Sequence, residues 1–190
     1  MLWKGSASGG INTYGVDSRI EGVQAAANYR GIQTGPNAVI RDCTSRFNTL
    51  DGIRAGDGCM LTRCTAANNG SDGIYADTGC TLSGCTAIGN DSDGIYANIG
   101  VTLRDCTAYL NDVDGIRTEG GCSLNGCVVR ENGSDGIDAG VGSSVNACTA
   151  SRNTGDGIQV SSDCRVVGNT CDGNGVTTGI GAGVHATVSE

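Results

Sequence analysis

The chain of 190 residues contains 33 Gly but only one Pro, one Phe and one Trp, and its formal net charge is −8. The basic residues are Lys4 and eleven Arg that are spread along the chain, so no basic stripe is present to follow a phosphate backbone, and we expect no nucleic-acid partner. No apolar run approaches the ~20 residues of a membrane span, and we expect none.

Residues 1–9 carry Leu2 and Trp3 in an otherwise polar segment rich in Gly and Ser. From Gly10 onward a Gly-Ile pair recurs every 21 residues, and this spacing holds up to Gly157. A fixed period of this size predicts a solenoid, in which each repeat buries its apolar face against the next. Because a solenoid exposes an unpaired edge at each end, we expect residues 1–9 to be an N-terminal segment or a cap.

The coil that starts at Gly73 shows what one repeat encodes. Its apolar or small residues form three pairs, Ile74 and Ala76, Cys80 and Leu82, and Cys85 and Ala87. A spacing of two places both members of a pair on one face of an extended strand. The pattern therefore predicts an all-β solenoid with three short strands in each 21-residue coil, and residues 10–190 provide about eight to nine coils.

Two polar columns and one turn position mark the corners of the coils. The turn position is always Asn, Gly or Asp, types that tolerate positive φ: Asn37, Gly58, Gly79, Gly100, Gly121, Gly142 and Asp163. An Asn column is expected to form a hydrogen-bonded ladder of stacked amides: Asn48, Asn69, Asn90, Asn111, Asn132, Asn153 and Asn174. An Asp column suits turn capping: Asp51, Asp72, Asp93, Asp114, Asp135 and Asp156. We predict no metal or other cofactor, with Ca²⁺ bound by the Asp column as the alternative.

The cysteines also follow the repeat. One column contains Cys43, Cys64, Cys85, Cys106, Cys127 and Cys148, and a second contains Cys59, Cys80, Cys122 and Cys164. In the second column Ala38, Val101 and Ser143 take the place of Cys, which a small buried slot permits and a zinc site does not. The columns therefore predict buried free thiols, with disulfides and a metal site as less favoured alternatives.

The motif N-x-x-D-G-I-x-A followed by C-x-L-x-x-C-T-A resembles the coils of bacterial right-handed parallel β-helix proteins, the pectate-lyase-like superfamily, over roughly residues 10–174. The resemblance implies a single-stranded right-handed parallel β-helix. It does not select an activity, because that superfamily includes polysaccharide lyases, epimerases, glycosidases, tailspikes and modules without known chemistry. The resemblance alone favours an extracellular or cell-surface location.

The first and last coils depart from the pattern. Early in the chain, Ile20, Val23, Ala25 and Asn28 each lie one residue later than the period requires. Near the end, either Gly179 or Gly183 opens the last coil, and we predict Gly183 because Val184 and Ala186 reproduce the first apolar pair. The open solenoid ends are expected sites of self-association.

The most ligand-like surface is predicted on the outward side of the first strands. It contains Arg54, Tyr75, Asp77, Tyr96, Asn98, Arg117 and Glu119. Aromatic rings bind sugar faces and polar neighbours bond hydroxyl groups, whereas ordinary cross-strand pairs without a ligand are the alternative interpretation. No catalytic residue is assigned, because the only His, His185, lies in the last coil.

These patterns favour a non-catalytic β-helix module, structural or glycan-binding, within a bacterial surface or secreted protein, with polysaccharide as the expected partner. The alternative is a carbohydrate-active enzyme, a polysaccharide lyase or glycosidase, that uses the Tyr75/Tyr96 face. An ice-binding surface is a third and weaker interpretation, because Val128 interrupts the row of Thr on which it depends.

Overall fold

The computed structural model describes residues 2–4, 10–175 and 179–189. These residues form short strands and turns, and each coil contributes one strand to each of three parallel sheets. The predicted all-β parallel solenoid with 21-residue coils is therefore confirmed. The described residues include no helix that is long and apolar enough to cross a membrane.

Each sheet stacks the equivalent strands of consecutive coils. The first sheet contains Ile11–Thr13, Ile32–Thr34, Ile53–Ala55, Ile74–Ala76, Ile95–Ala97, Ile116–Gly120, Ile137–Val141, Ile158–Val160 and Ile180–Ala182. The second contains Arg19–Glu21, Val39–Arg41, Met60–Thr62, Thr81–Ser83, Thr102–Arg104, Ser123–Asn125, Ser144–Asn146, Arg165–Val167 and Thr187–Ser189. The third contains Leu2–Lys4, Gln24–Ala26, Thr44–Arg46, Thr65–Ala67, Thr86–Ile88, Thr107–Tyr109, Val128–Arg130, Thr149–Ser151 and Thr170–Asp172.

The core consists of columns of identical or similar side chains. Ile74 lies opposite Ile95 in the first sheet, and Leu82 lies opposite Leu103 in the second. All four side chains are fully buried. Burial of one such side chain contributes about 1.5–3 kcal/mol, so repetition along the axis makes the sum large for a core of aliphatic and small side chains.

The Asn ladder is confirmed, and it explains why each coil opens with Gly. The Nδ2 of Asn69 donates to Oδ1 of Asn90 at 2.9 Å, and the same oxygen accepts the backbone N–H of Asn69 at 3.1 Å. A Cβ added to Gly73 would lie 2.5 Å from Nδ2 of Asn90 and 2.6 Å from the carbonyl oxygen of Gly94. Gly is therefore required there by the close approach of the ladder and the next coil.

The three corners of a coil share left-handed backbone, although only one was predicted. The predicted position has positive φ, as at Asn37 with φ 57° and Gly79 with φ 69°. Arg63 with φ 51° and Phe47 with φ 55° occupy the other two corners. These turns also shift the second and third strands, which begin one residue after each Cys rather than at the Cys itself.

The prediction of buried free thiols is confirmed. All eleven Cys are unpaired, and all except the half-buried Cys171 are buried. The thiols are satisfied by backbone acceptors, since Sγ of Cys43 donates to the carbonyl oxygen of Arg41 at 3.1 Å. The neighbouring thiol of Cys106, together with burial, raises the pKa of Cys85 to about 12, so this thiol stays protonated at neutral pH.

The first coil follows the predicted shift. Ile20 lies opposite Ile40, and the N–H of Asn28 donates to Oδ1 of Asn48 at 3.0 Å. The strand Leu2–Lys4 pairs with Gln24–Ala26 at the edge of the third sheet. Residues 1 and 5–9 lie outside the described residues, so a cap formed by residues 1–9 stays a prediction.

The prediction that Gly183 opens the last coil is wrong. Ile180 lies opposite Ile158 and packs against the core, whereas Val184 is 68% exposed. The coil therefore opens at Gly179, 22 residues after Gly157, and Ile180–Ala182 is a strand rather than part of a loop. The physical reason is that Ile180 extends the buried Ile column of the first sheet.

Candidate functional site

The second residue of each strand in the first sheet lies on the side away from the core, and these residues form one row along the solenoid axis. Tyr75 pairs in register with Arg54 on one side and with Tyr96 on the other, and Tyr96 pairs with Arg117. We name these four residues the outer row. The parallel register places their Cα atoms about 4.8 Å apart from one coil to the next.

The aromatic rings of the outer row stack on each other. The ring centroids of Tyr75 and Tyr96 are 5.0 Å apart with an interplanar angle of 11°. Cζ of Arg54 lies 4.1 Å from the centroid of Tyr75 on the same row. Tyr75 is thus covered by its neighbours on both coils, so it offers a ligand its edge and hydroxyl group rather than the free ring face expected from the sequence.

Acidic partners hold the two Arg at the ends of the outer row. Nη1 of Arg54 donates to Oδ2 of the buried Asp51 at 3.4 Å. Nε of Arg117 lies 4.0 Å from Oδ2 of Asp138. Burial lowers the pKa of Arg117, but the surrounding carboxylates together, that of Asp93 first, raise it by more. The guanidinium of Arg117 therefore remains charged, and both Arg side chains are positioned by neighbouring carboxylates.

The predicted polar neighbours form two separate contacts beside the row. Nδ2 of Asn98 donates to Oδ1 of Asp77 at 2.9 Å. The hydroxyl group of Tyr96 donates a short hydrogen bond to Oε1 of Glu119. Burial and the Glu119 carboxylate both raise the pKa of Tyr96, so its phenol stays protonated at neutral pH and acts as a hydrogen-bond donor.

The Asp column is held by backbone groups of the next coil. Oδ1 of Asp72 accepts the N–H of Asp93 at 3.2 Å, and Oδ1 of Asp93 accepts the N–H of Asp114 at 3.1 Å. Burial raises the pKa of Asp93 to about 6, helped by the neighbouring carboxylates. Among the described residues, no three His, Cys, Asp or Glu side chains are grouped in a way that could hold a metal ion. That the Asp column binds no Ca²⁺ stays a prediction.

A cavity that the sequence did not predict lies at the N-terminal end of the same face. Its volume is about 220 Å³, and its polar and aromatic lining comes from Asn12, Tyr14, Tyr29, Arg30 and Gln33. Asn12 and Gln33 continue the outer row, because Asn12 pairs with Gln33 and Gln33 pairs with Arg54. We name it the N-terminal cavity. The 21-residue period places Asn12 and Gln33 in the row, but nothing in the repeat pattern indicates a cavity.

The only His is remote from this face. The side chain of His185 is 83% exposed in the last coil, and its Nδ1 lies 3.7 Å from Oδ1 of Asp163. The structure thus gives the outer row no imidazole. The groups with acid–base chemistry in or beside the row are Tyr75, Tyr96, Asp77, Glu119 and the carboxylates that hold the Arg side chains.

Comparison with known proteins places this fold in a family. A family model described as a right-handed β-helix region matches residues 9–147. The chain belongs to the right-handed β-helix family. No curated protein matches this β-helix chain.

Solved structures similar to this β-helix protein include two enzyme modules and a lyase. The Azotobacter vinelandii mannuronan C-5 epimerase AlgE4 A-module is 18% identical with a TM-score of 0.75, and the match covers 90% of this chain and 59% of that one. The AlgE6 A-module from the same organism is 17% identical with a TM-score of 0.73, over 90% and 64% of the two chains. Pectate lyase Pel9A is 12% identical with a TM-score of 0.72, over 100% and 68%. The β-helix chain thus spans less than two thirds of either epimerase module, and at these identities the likeness concerns the fold alone.

Proposed function

We propose that this β-helix protein is a non-catalytic module that binds an extended polysaccharide along the outer row. The observation that carries the proposal is the stacked array of Arg54, Tyr75, Tyr96 and Arg117, which runs parallel to the solenoid axis. Aromatic groups with polar neighbours are typical of sites that bind sugars edge-on or face-on. The epimerase and lyase named above act on mannuronan and pectate according to their names, which supports a polysaccharide as the ligand.

The chemistry of the row supports binding rather than turnover. A general base must be free to take a proton, with a pKa near the working pH. The Tyr96 phenol has a raised pKa and already donates its proton to Glu119. Arg54 is occupied by Asp51 and by the ring of Tyr75. These contacts suit a rigid row of hydrogen-bond donors.

A binding experiment tests the proposal. Affinity electrophoresis or calorimetry with pectate, alginate and a neutral galactan should detect binding to the wild-type protein. Tyr96→Ala should weaken it by at least about tenfold, as expected for the loss of an aromatic anchor. Tyr109→Ala is the matched control, because Tyr109 also carries an Arg, with Cζ of Arg130 at 4.3 Å, but lies in the third sheet. Equal binding by both variants would contradict the proposal.

One observation favours the alternative of a polysaccharide lyase or glycosidase. The Tyr96 and Glu119 side chains form a phenol–carboxylate pair next to Arg117 in the same sheet, which is a minimal set of an acid, a base and a cation. An assay for newly formed reducing or unsaturated chain ends tests it. Turnover that is lost in Glu119→Gln but retained in Asp77→Asn would replace the non-catalytic proposal with the enzymatic one.

A further inference from the structure

The N-terminal cavity has the size and position of a subsite on the face just described. Its volume of about 220 Å³ is below the roughly 300–1,000 Å³ of pockets for drug-sized ligands, so it can accept one ring-sized group. Gln33 connects it directly to Arg54 through the register of the first sheet. A chain molecule lying along the outer row would reach the cavity at its N-terminal end.

Two tyrosines supply aromatic surface to this cavity. Tyr14 is 74% exposed and Tyr29 is 49% exposed, and neither ring stacks on another ring of the described residues, unlike Tyr75 and Tyr96. Exposed aromatic side chains that are grouped in one concave site are typical of ligand-binding grooves. Cζ of Arg30 lies 6.0 Å from the centroid of the Tyr29 ring, which leaves the Tyr14 ring and the other face of Tyr29 to pack against a sugar. Asn12 and Gln33 are neighbouring hydrogen-bonding groups.

The charge near the cavity is locally positive although the protein is acidic. Arg30 and Arg54 share one acidic partner, since Nε of Arg30 lies 3.5 Å and Nη1 of Arg54 lies 3.4 Å from Oδ2 of Asp51. The contact of Arg30 lacks hydrogen-bond geometry, and its buried Nε has no hydrogen-bond partner among the described residues. The next carboxylate of the column, Asp72, lies one coil further from the cavity. Because this Nε is buried, the donors left for a second anion are the terminal Nη1 and Nη2 of Arg30, whose side chain is 33% exposed.

We propose that the N-terminal cavity binds one carboxylate-bearing sugar ring and that Arg30 recognises its carboxylate. The inference rests on the proposed function and specifies its ligand: the face prefers an acidic glycan to a neutral one of equal length. Tyr29 and Tyr14 pack against the ring, while the guanidinium of Arg30 donates to the carboxylate. A charge-assisted hydrogen bond of this kind is about twice as strong as a neutral one.

Calorimetry with hexagalacturonate and with its methyl ester, which replaces each charged carboxylate by a neutral ester with one added methyl group, tests the subsite. The wild-type protein should bind the acid at least about tenfold more tightly. Arg30→Gln should reduce this preference to less than about threefold while leaving affinity for the ester nearly unchanged. Arg152→Gln, which removes an exposed Arg paired with Glu131 outside the cavity, is the control and should retain the full preference.

A second variant, together with the dependence of binding on the outer row, distinguishes failure of the subsite from failure of the proposed function. Tyr29→Ala, at a position that is 49% exposed, should weaken the binding of both hexamers by a similar factor. If Arg30→Gln keeps the wild-type preference, or Tyr29→Ala binds like the wild-type protein, the subsite is refuted. If binding then remains dependent on Tyr96, the proposed function stands without the subsite. If the wild-type protein binds neither the hexamers nor any polysaccharide, the proposed function fails and the subsite fails with it.

Discussion

The carboxylate of Asp93 is expected to destabilise the folded protein at neutral pH, and Asp93→Asn should therefore be stabilising. Asp93 is 5% exposed, and its Oδ1 accepts the N–H of Asp114 at 3.1 Å. Burial, with the carboxylates of Asp114 and Asp72, raises its pKa to about 6. Asn keeps the acceptor oxygen and removes the charge, so the hydrogen bond is retained while the repulsion within the column is relieved.

The size of the effect follows from the two pKa values. An unfolded Asp has a pKa of about 3.9, so the difference of about two units corresponds to roughly 2–3 kcal/mol. Because the folded pKa of Asp93 is the higher one, the folded state binds the proton more tightly. This contribution to stability is complete below about pH 4 and is lost as the pH rises through about 6.

Thermal unfolding followed by circular dichroism at pH 4.5, 6 and 7.5 measures this linkage. For a chain of this length, 1 kcal/mol shifts Tm by about 2–4 °C, so Asp93→Asn should melt about 4–12 °C above the wild-type protein at pH 7.5 and little above it at pH 4.5. Asp112→Asn, an exposed neighbour in the same turn region, controls for net charge. A lower Tm for Asp93→Asn at pH 7.5, or an equal gain from Asp112→Asn, would refute the reasoning.

Three further predictions concern the fold and the Asp column. Ile95→Asp should prevent cooperative folding, because it buries a carboxylate without a partner at a cost of several kcal/mol; a sharp melting transition would contradict the inward position of Ile95. Gly73→Ala should lower Tm strongly, as overpacking costs about 1–3 kcal/mol or more, whereas Gly79→Asn, at a positive φ with open space, should change it little. Millimolar CaCl₂ or chelator should leave Tm unchanged, and a rise with Ca²⁺ that disappears in Asp93→Asn would instead assign an ion to the column.

Much of this fold can be predicted from the 21-residue period, because the same inward and outward positions recur in every coil. A residue such as Ile74 must point inward if its counterparts 21 residues away do so. In the same way, Asn at the same position of consecutive coils predicts that their side-chain amides stack in a ladder. The corners at Arg63 and Phe47 could not be predicted in this way. Their left-handed φ is imposed by the strands on either side, and neither residue type favours it.

The last coil shows where a local pattern is insufficient. Gly179-Ile180 and Gly183-Val184 match the repeat equally well over a few residues, and only the stacking partner separates them. Ile180 is held by Ile158 on the preceding coil. For the candidate site, the period predicted which residues share the outer row, but not their rotamers. Side-chain contacts between corners and strands determine three features that the period does not contain. These are the covering of Tyr75 by Arg54, the contact of Arg54 with Asp51, and the N-terminal cavity.

The in-register stacking of the coils has a consequence for how this surface can change. Each coil supplies a single residue to the outer row, so the order of repeats along the chain is also the spatial order of the side chains. Duplication of residues 73–93 would add a third tyrosine to the stack and move Arg117 about 4.8 Å further from Arg54. Deletion of the same segment would bring Arg54 next to Tyr96. Gain or loss of whole repeats therefore lengthens or shortens the outer row and changes which side chains are neighbours in it, while the backbone of each coil is preserved.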